Sequence, residues 1–406
     1  MGMFHRRAFI SSLLAAPLSS AALPPVRPIT KGPGFHWFGY YDKLQFDPSN
    51  RYALGMKGNI EHRLPTPDDY VRLGIVDLDD GDRWTEFAIG HVWSWHQGCM
   101  LQWLPGSKTD VIYNDRLDNR LVSHIMNVRT GKKRTLPMPI YCVSPDARWG
   151  IVNDFRRSGS MRPETGYVGL DDPYSGELAP EKSGIWRMDL QSGKHELILS
   201  LADVVAIPRP NGYSKNAKHY FDHLLFAPDG KRFIFFQRWR GDAEGKGFAT
   251  RMLSADADGK NVRVLDPYGK TSHYVWRDSK TLLVWMDHPS HGAAFYQMNE
   301  PDASVELFAP QAMPKNGHPS FFRKGRWVVC DTSPDEQRLQ HSYLYDTTTK
   351  SRHALGSFYS PPEYTGFWRC DTTPRVSPDG KKIIIDSPHG KNGRQMYLID
   401  VSGIVR

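Results

Sequence analysis

The chain has 406 residues, of which 39% are hydrophobic and 12% aromatic, and its 35 Gly and 30 Pro are spread along its length. This composition excludes a disordered chain and favours a large, turn-rich globular protein. The formal net charge of +8 favours an anionic partner. Nucleic acid is not expected, because no block of Lys and Arg with interleaved aromatic residues is present.

The N-terminal segment resembles a twin-arginine export signal. Arg6 and Arg7 precede a short apolar run that ends in small residues. An N-terminal membrane anchor is the alternative, but the run is shorter than the about 20 residues that a spanning helix needs. We therefore predict a signal peptide at 1–24 and a mature domain at 25–406 that is periplasmic or secreted, with no membrane partner after cleavage.

The four cysteines are compatible with export but do not require disulfides. An oxidising compartment allows pairing, whereas twin-arginine export carries proteins that have already folded in a reducing cytoplasm. All four lie in or beside strand-like runs, so buried thiols are the plain interpretation. They are Cys99, Cys142, Cys330 and Cys370.

A turn followed by a β-rich run recurs seven times along the chain. The turns begin at Asp47, Leu104, Ser144, Ala227, Trp276, Arg323 and Ser377. Most turns carry Pro, Gly or Asn where the backbone reverses, and most spacings suit four-stranded blades of about 40 to 50 residues. No long helical period is present. We therefore predict an all-β, seven-bladed β-propeller whose terminal strands close the ring, and a monomer, because closure removes free edges.

The longest spacing between turns contains an insertion at roughly Arg157–Ser183, rich in Gly, Pro, Tyr and Asp. We expect this insertion to cover one face of the propeller. The inner strands of a propeller converge on a central channel, and the ends of these strands line a funnel. The candidate chemistry is therefore expected at strand ends.

Three short stretches concentrate polar and aromatic residues at predicted strand ends. They contain Tyr40, His96 and Asn114, each a candidate for substrate contact or catalysis. None matches a general catalytic motif. The alternative is that the aromatic residues pack the blades while His and Asn satisfy backbone groups in a tight channel.

A fourth stretch carries a resemblance to a known family. The pattern Asp-Phe-Arg-Arg, then Arg-Pro-x-x-Gly-Tyr, together with Tyr141, resembles the ulvan lyases and related polysaccharide lyases built on seven-bladed propellers. The resemblance implies that Tyr141 and Arg157 have acid/base and carboxylate-binding roles and that Arg162 and Tyr167 bind substrate. A salt bridge from Arg157 to Asp154 or to the insertion is the alternative.

The C-terminal half resembles the oligogalacturonate lyases in the runs Thr-Arg-Met, Ser-His-Tyr and Gly-His-Pro-Ser. The resemblance implies a catalytic pair, Arg251 and His273, and one divalent metal ion held by His318. Where relatives place further His or Cys ligands, this chain has Pro319, Thr372 and Thr373. The metal site is thus incomplete, with Cys370 and Asp371 as the substitutes.

This set of residues suits β-elimination from a uronate. The reaction removes a weakly acidic proton next to a carboxylate, so a cation must neutralise that carboxylate. Arg157 and Arg251 are the candidates, and Arg238 and Arg240 are further candidate substrate contacts. The base is His96 or His273 and the acid is Tyr141. For His273, metal ligation or strand-end packing is the alternative.

The predicted function is therefore a polysaccharide or oligosaccharide lyase acting on an acidic, uronate-containing glycan. A non-catalytic periplasmic propeller that binds or scaffolds is the first alternative, because propellers also serve as binding platforms. A glycoside hydrolase is the second, but it needs paired carboxylates. Asp42, Asp115 and Asp154 show no obvious pair in the sequence.

Overall fold

The computed structural model of the chain describes residues 22–210, 212–241 and 247–406. Arg6, Arg7 and most of the predicted signal peptide lie outside these ranges, so the export signal stays a prediction. Across the described ranges, no helix has the length and apolar character needed to cross a membrane.

Seven four-stranded antiparallel sheets form the described chain, as predicted. Strand β1 (Val26–Pro28) comes first and belongs to the last sheet. The first sheet contains β2 (Phe35–Trp37), β3 (Tyr52–Gly58), β4 (Val71–Asp77) and β5 (Arg83–Gly90). The second contains β6 (Gln102–Trp103), β7 (Asp110–Leu117), β8 (Arg120–Asn127) and β9 (Lys133–Leu136). The third contains β10 (Cys142–Val143), β11 (Trp149–Asn153), β12 (Gly184–Asp189) and β13 (His195–Ser200).

The next three sheets follow in the same order along the chain. The fourth contains β14 (Lys218–Phe226), β15 (Arg232–Arg240), β16 (Ala249–Asp256) and β17 (Arg263–Asp266). The fifth contains β18 (Thr271–Trp276), β19 (Thr281–His288), β20 (Gly292–Asn299) and β21 (Val305–Leu307). The sixth contains β22 (Ser320–Phe322), β23 (Trp327–Cys330), β24 (Leu339–Asp346) and β25 (Ser351–Tyr359).

The last sheet joins the two ends of the described chain. Its C-terminal strands are β26 (Arg375–Val376), β27 (Lys382–Ser387) and β28 (Gln395–Asp400). Strand β1 completes it by pairing with β28, with Val26 opposite Ile399. Both segments are thereby held in one blade, which closes the ring and confirms the predicted seven-bladed propeller.

The local chemistry of the turns explains why the hairpins recur. Ser144 donates its hydroxyl to Asp146 and accepts the backbone N–H of Trp149 at 2.9 Å. Ser377 makes the same pair of bonds, with its hydroxyl accepting the N–H of Lys382 at 2.9 Å. Because these bonds form within a few residues, each turn can set its strand reversal independently of the rest of the fold.

The first strand of each of the first six sheets, and β26 in the last sheet, lies nearest the central channel. Strand β14 is buried along most of its length, whereas β5 and β9 at the outer edges are largely exposed. Between strands lie the helices α1 (Phe155–Met161) and α2 (Leu201–Ala206) and a 3-10 turn at Gly366–Trp368. The four cysteines are free and buried.

The predicted insertion lies between β11 and β12 and contains α1. Asp154 caps this helix by accepting the backbone N–H of Arg156. The insertion reaches the channel mouth, where the carbonyl of Glu164 accepts the backbone N–H of His96 at 3.3 Å. It therefore covers part of one face, as expected.

Candidate functional site

A cavity of about 330 Å³ opens at one end of the central channel. It lies where inner strands begin, so residues just after β2 and at the start of β18 form its floor and wall. Part of the insertion and the loop before β26 complete it. The residues of the predicted site that line this cavity are Tyr40, His96, Arg162, Arg238, His273, His318 and Asp371.

Two arginines on one wall share a single buried carboxylate. Arg162 Nη1 and Arg238 Nη1 lie 3.1 and 2.9 Å from the same oxygen, Oδ2 of Asp222 in β14. Both guanidinium groups also stack against the ring of Phe248, at 4.7 and 4.6 Å from its centre. Arg162 Nε donates to Glu164 at 2.7 Å. The pair is thus held rigidly at the cavity surface.

Arg238 keeps hydrogen-bonding capacity that the protein does not use. Its side chain is only 5% exposed, and no acceptor for its Nε–H is found among the described residues. A buried N–H without an acceptor carries a free-energy penalty, which an anionic ligand in the cavity would remove. Arg238 is therefore the best-placed carboxylate-binding group of this wall.

A second arginine pair lies on another part of the cavity wall. Arg369 Nε donates to Asp371 at 2.8 Å. The guanidinium carbon of Arg394 lies 4.4 Å from the ring centre of Trp95. Arg394 Nε also lies 3.7 Å from a carboxylate oxygen of Glu61. Burial works against ionisation of Asp371, but Arg369, His318 and His96 together outweigh burial and lower the pKa of this carboxyl group. These two guanidinium groups add positive charge to this part of the cavity wall.

His96 faces the cavity as a neutral imidazole. Burial, followed by the charge of Arg369, holds its pKa well below the usual value of 6.5. Its Nε2 is buried and has no hydrogen-bonding partner in the part of the chain that the structure describes. His96 can therefore bind a substrate hydroxyl or accept a proton.

His273 and His318 lie side by side with their ring centres 4.2 Å apart. Nδ1 of His318 lies 3.0 and 3.1 Å from the two carboxylate oxygens of Asp331. Burial disfavours its charged form, but Asp331 outweighs burial and raises the pKa of His318. Burial and the neighbouring His318 hold the pKa of His273 well below 6.5. Adjacent imidazoles whose pKa values are pushed apart are suited to separate acid and base roles.

Asn316 determines which nitrogen of His273 carries its proton. The amide Nδ2 of Asn316 donates to Ser272 at 3.0 Å, so its Oδ1 is free to accept from Nδ1 of His273, also at 3.0 Å. The neutral His273 ring thus keeps Nε2 as its acceptor.

Tyr141 lies beneath the cavity and does not line it. Its hydroxyl accepts from Gln97 Nε2 at 2.8 Å and from the backbone N–H of His223 at 2.9 Å, and it donates to Asp222 at 3.2 Å. Burial raises its pKa well above 10. Tyr141 thus lies outside the cavity where the acid was expected, and its hydroxyl bonds Asp222, the carboxylate that holds the arginine pair.

Arg157 and Arg251 also lie away from the cavity wall, which corrects the prediction that they converge on it. Arg157 pairs with Asp172 of the insertion at 3.0 Å and donates to four backbone carbonyl groups. Arg251 donates to Gln237 and to carbonyl groups at the end of α2, including Val204 at 2.8 Å. Through these bonds both guanidinium groups tie neighbouring segments to the propeller.

Four further predicted residues do not line the cavity. The side-chain amide of Asn114 accepts the N–H of Ile140 and donates to its carbonyl group. The same Nδ2 also donates to the hydroxyl of Tyr167, so Asn114 holds the blade together. The ring of Tyr167 stacks on Phe155 of α1, with ring centres 4.4 Å apart. Arg240 lies at the end of β15, outside the lining, and Cys370 is buried, with burial raising its thiol pKa to about 12.

Several residues of the site were missed in the sequence. Asp222 is a charged residue within an otherwise mostly apolar inner strand, which was a usable signal for a functional role. Asp331 follows a buried strand in the same way. Arg369 and Arg394 carried no local signal, because ring closure brings them to the cavity.

The fold and the cavity define a seven-bladed β-propeller with a cationic, histidine-bearing cavity at one mouth of its channel. Among solved structures, the chain is similar to an oligogalacturonate lyase in complex with manganese, with a TM-score of 0.66, 15% identity and 94% of each chain covered. An oligogalacturonate lyase from Vibrio parahaemolyticus has a TM-score of 0.65 at 14% identity, covering 94% of this chain and 95% of that one. The predicted likeness to these lyases is confirmed for the fold.

Other propellers share the architecture with a different function. The β-propeller domain of the trilobed protease from Pyrococcus furiosus has a TM-score of 0.51 at 10% identity, over 90% of this chain and 93% of that one. No protein-family model matches the chain, and no curated protein matches it in sequence. At such identities the likeness establishes the propeller and leaves the activity to be argued from the cavity.

The cavity does not fit a divalent metal ion of the kind found in the manganese complex. Within residues 22–210, 212–241 and 247–406, no group of three or more His, Cys, Asp or Glu side chains is arranged to hold one. Asp331 is already engaged by His318 and by Thr372 and Thr373, and Asp371 is paired with Arg369. The predicted ligand set of His318, Cys370 and Asp371 is therefore not assembled.

Proposed function

We propose that this protein cleaves a uronate-containing oligosaccharide or polysaccharide by β-elimination. The observation that carries the proposal is the arginine pair on Asp222, in which Arg238 keeps a buried, unused donor. The same cavity holds the protonated His318 and the neutral His96 and His273. Oligogalacturonate lyases of the same fold support the choice of an acidic sugar as substrate.

The arginine pair supplies the charge that elimination requires. Removing the proton next to a carboxylate leaves an enolate-like intermediate with additional negative charge on the carboxylate oxygens. Arg238 and Arg162 are fixed cations that a substrate carboxylate can approach without reorganisation of the wall, because Asp222 and Phe248 already hold them. The stabilisation is therefore electrostatic and preorganised.

Proton transfer needs one charged and one neutral group. His318 keeps its proton because Asp331 raises its pKa, so it can protonate the oxygen that leaves. His96 and His273 are neutral and can accept a hydrogen bond or a proton. Tyr40 also reaches the cavity. No step requires a group that the chain does not provide.

Ultraviolet absorbance tests this proposal directly. The protein is incubated with galacturonate, glucuronate, mannuronate and iduronate oligosaccharides, and the conjugated double bond of an unsaturated uronate is followed with time. Elimination produces this absorbance together with new chain ends. New reducing ends without absorbance would instead identify a hydrolase, and saturable binding without turnover would identify a binding module.

The expected export, the periplasmic or secreted location and the monomeric state remain predictions.

A further inference from the structure

A chain of polar side chains runs from the cavity into the middle of the channel. The hydroxyl of Tyr40, a cavity residue, lies 3.5 Å from Nδ1 of His223. Nε2 of the same ring lies 3.4 Å from Oδ2 of Asp42, and Oδ1 of Asp42 lies 2.9 Å from Nζ of Lys43. The side chains of His223, Asp42 and Lys43 are at most 2% exposed. Three ionisable groups are thus buried in a line behind one cavity tyrosine.

The backbone is distorted where this chain passes through β14. His223 has a φ of +47°, and the pairing of β14 with β15 shifts register between Asp222 and Leu225. A bulge of this kind re-aims a side chain, and a left-handed non-glycine residue is uncommon and strained. Here the shift turns the His223 ring toward the channel, where Tyr274 and Phe236 pack against it with ring centres 4.3 and 5.2 Å away.

Stability alone does not account for this arrangement. A buried ion pair adds little or nothing relative to apolar residues of the same volume, because both charges lose their hydration. A strained backbone adds a further penalty. Ionisable groups that a fold keeps buried at such a penalty, next to a cavity, are typical of functional sites.

The charges of the three groups determine which nitrogen of the His223 ring carries its proton. Burial disfavours the carboxylate of Asp42, but Lys43 and His223 outweigh burial and lower its pKa to about 2. Burial lowers the pKa of His223, and Asp42 offsets only part of this effect. A neutral ring facing a carboxylate carries its proton on Nε2, so Nδ1 presents a lone pair to the hydroxyl of Tyr40.

Among the described residues, Tyr40 and Asp42 are the polar groups that contact the ring nitrogens of His223. The hydroxyl of Tyr41 donates to the carbonyl of Tyr274 at 2.7 Å, and the hydroxyl of Tyr274 donates to the carbonyl of His223 at 2.7 Å. The order hydroxyl, imidazole, carboxylate is that of the hydrolase triads, in which the imidazole takes the proton of the hydroxyl and the carboxylate stabilises the imidazolium. Hydrogen bonds between such groups are commonly long until the substrate binds.

We propose that Tyr40 is the base of the elimination and that His223 and Asp42 are positioning residues behind it; this inference rests on the proposed lyase function. The carbon–hydrogen bond next to the substrate carboxylate breaks, and its proton goes to Oη of Tyr40 as the phenol proton passes to Nδ1 of His223. The electron pair forms the carbon–carbon double bond while the bond to the leaving oxygen breaks. His318 protonates that oxygen.

The cycle closes without a cofactor. His223 returns its proton to Tyr40, which releases the substrate-derived proton to the cavity, and His318 regains one from solvent. Asp42 carries no net change, because it only stabilises the transient imidazolium of His223. One proton enters and one leaves in each turnover.

The test uses three substitutions in the full-length protein and the absorbance assay. Tyr40→Phe should lower kcat by about 100- to 10,000-fold, the usual contribution of a general base. Asp42→Asn should lower kcat by about tenfold or more, because the imidazolium of His223 loses its counter-charge. The KM values should stay near the parent value. The double variant Tyr40→Phe with His223→Gln should have the same kcat as Tyr40→Phe alone, because the two residues act as a unit.

Tyr41→Phe is the matched control, since it removes a neighbouring buried hydroxyl that, among the described residues, bonds the backbone of Tyr274 alone. It should keep the parent kcat. If Tyr40→Phe keeps kcat within a few-fold while the parent eliminates uronate, the base assignment is wrong and the lyase function stands. If His223→Gln fails to fold, Asp42→Asn carries the same test.

A parent without activity on any uronate would instead overturn the lyase function, and nitrogen NMR of labelled histidines would then decide the hydrogen-bond chain by itself. We expect a His223 ring protonated on Nε2, with an Nδ1 resonance that moves in Tyr40→Phe and not in Tyr41→Phe. An Nδ1 resonance that is the same in both variants would refute the proposed contact between Tyr40 and His223.

Discussion

Replacing Arg238 by Gln tests the group on which the proposed carboxylate binding depends. Gln keeps a polar side chain but removes the positive charge from the cavity wall, together with the buried, unused Nε donor. If Arg238 stabilises the enolate-like transition state, kcat/KM should fall by about 100- to 1,000-fold, which corresponds to about 3 to 4 kcal/mol.

The same substitution should affect folding far less than catalysis. Asp222 would keep Arg162 at 3.1 Å and the hydroxyl of Tyr141 at 3.2 Å, so the carboxylate would not be left without a partner. We expect the free energy of unfolding to fall by about 1.5 to 3 kcal/mol, the range for a hydrogen bond to a charged group, rather than by the larger penalty of an unpaired buried charge.

The assay measures kcat/KM from the absorbance of the unsaturated product and the free energy of unfolding from denaturant titration. Arg263→Gln is the matched control, because Arg263 lies in the same blade and pairs with Glu300 at 2.9 Å with a side chain that is 43% exposed. It should keep the parent kcat/KM. An Arg238→Gln protein that is folded and within twofold of the parent would refute the carboxylate-binding role.

Three further predictions follow from charges and their partners. Arg157→Met should lower the free energy of unfolding by about 3 to 5 kcal/mol, because it leaves Asp172 buried without its partner. Denaturant titration measures this loss, and a loss below about 1 kcal/mol would contradict the structural role of Arg157. His318 must be protonated to act as the acid, and its pKa is raised, so kcat/KM should stay constant as pH rises past 6.5 and fall only above the raised pKa of His318. If His318→Gln shows the same fall of kcat/KM at high pH as the parent, His318 is not the acid. Dialysis against a chelator should leave kcat/KM unchanged, and loss of activity that manganese restores would show that a metal completes the site.

The sequence by itself determined the number of blades. Turns such as those at Ser144 and Ser377 depend on hydrogen bonds that span five residues or fewer, so their recurrence could be read without knowing the fold. Strand-end positions also indicated several cavity residues, including His96, His273 and Arg238, because the inner ends of all blades meet at one channel.

Only the tertiary structure decided which arginines face the cavity. The sequence favoured Arg157 and Arg251 over Arg238, yet their donors are taken up by carbonyl groups of the insertion and of α2. Arg369 and Arg394, in the last blade, line the same cavity as Tyr40 from the first blade, so ring closure decides their position.

The same limit applies to the residues behind Tyr40. Side chains alternate between the two faces of a strand, so a one-residue change of register decides whether a residue such as His223 points to the channel or away from it. That register is set by the bulge between Asp222 and Leu225, which depends on how β14 pairs with β15 and on the aromatic rings around the channel. Local turn chemistry could therefore predict the propeller, whereas long-range pairing and packing decided the direction of each charged side chain within it.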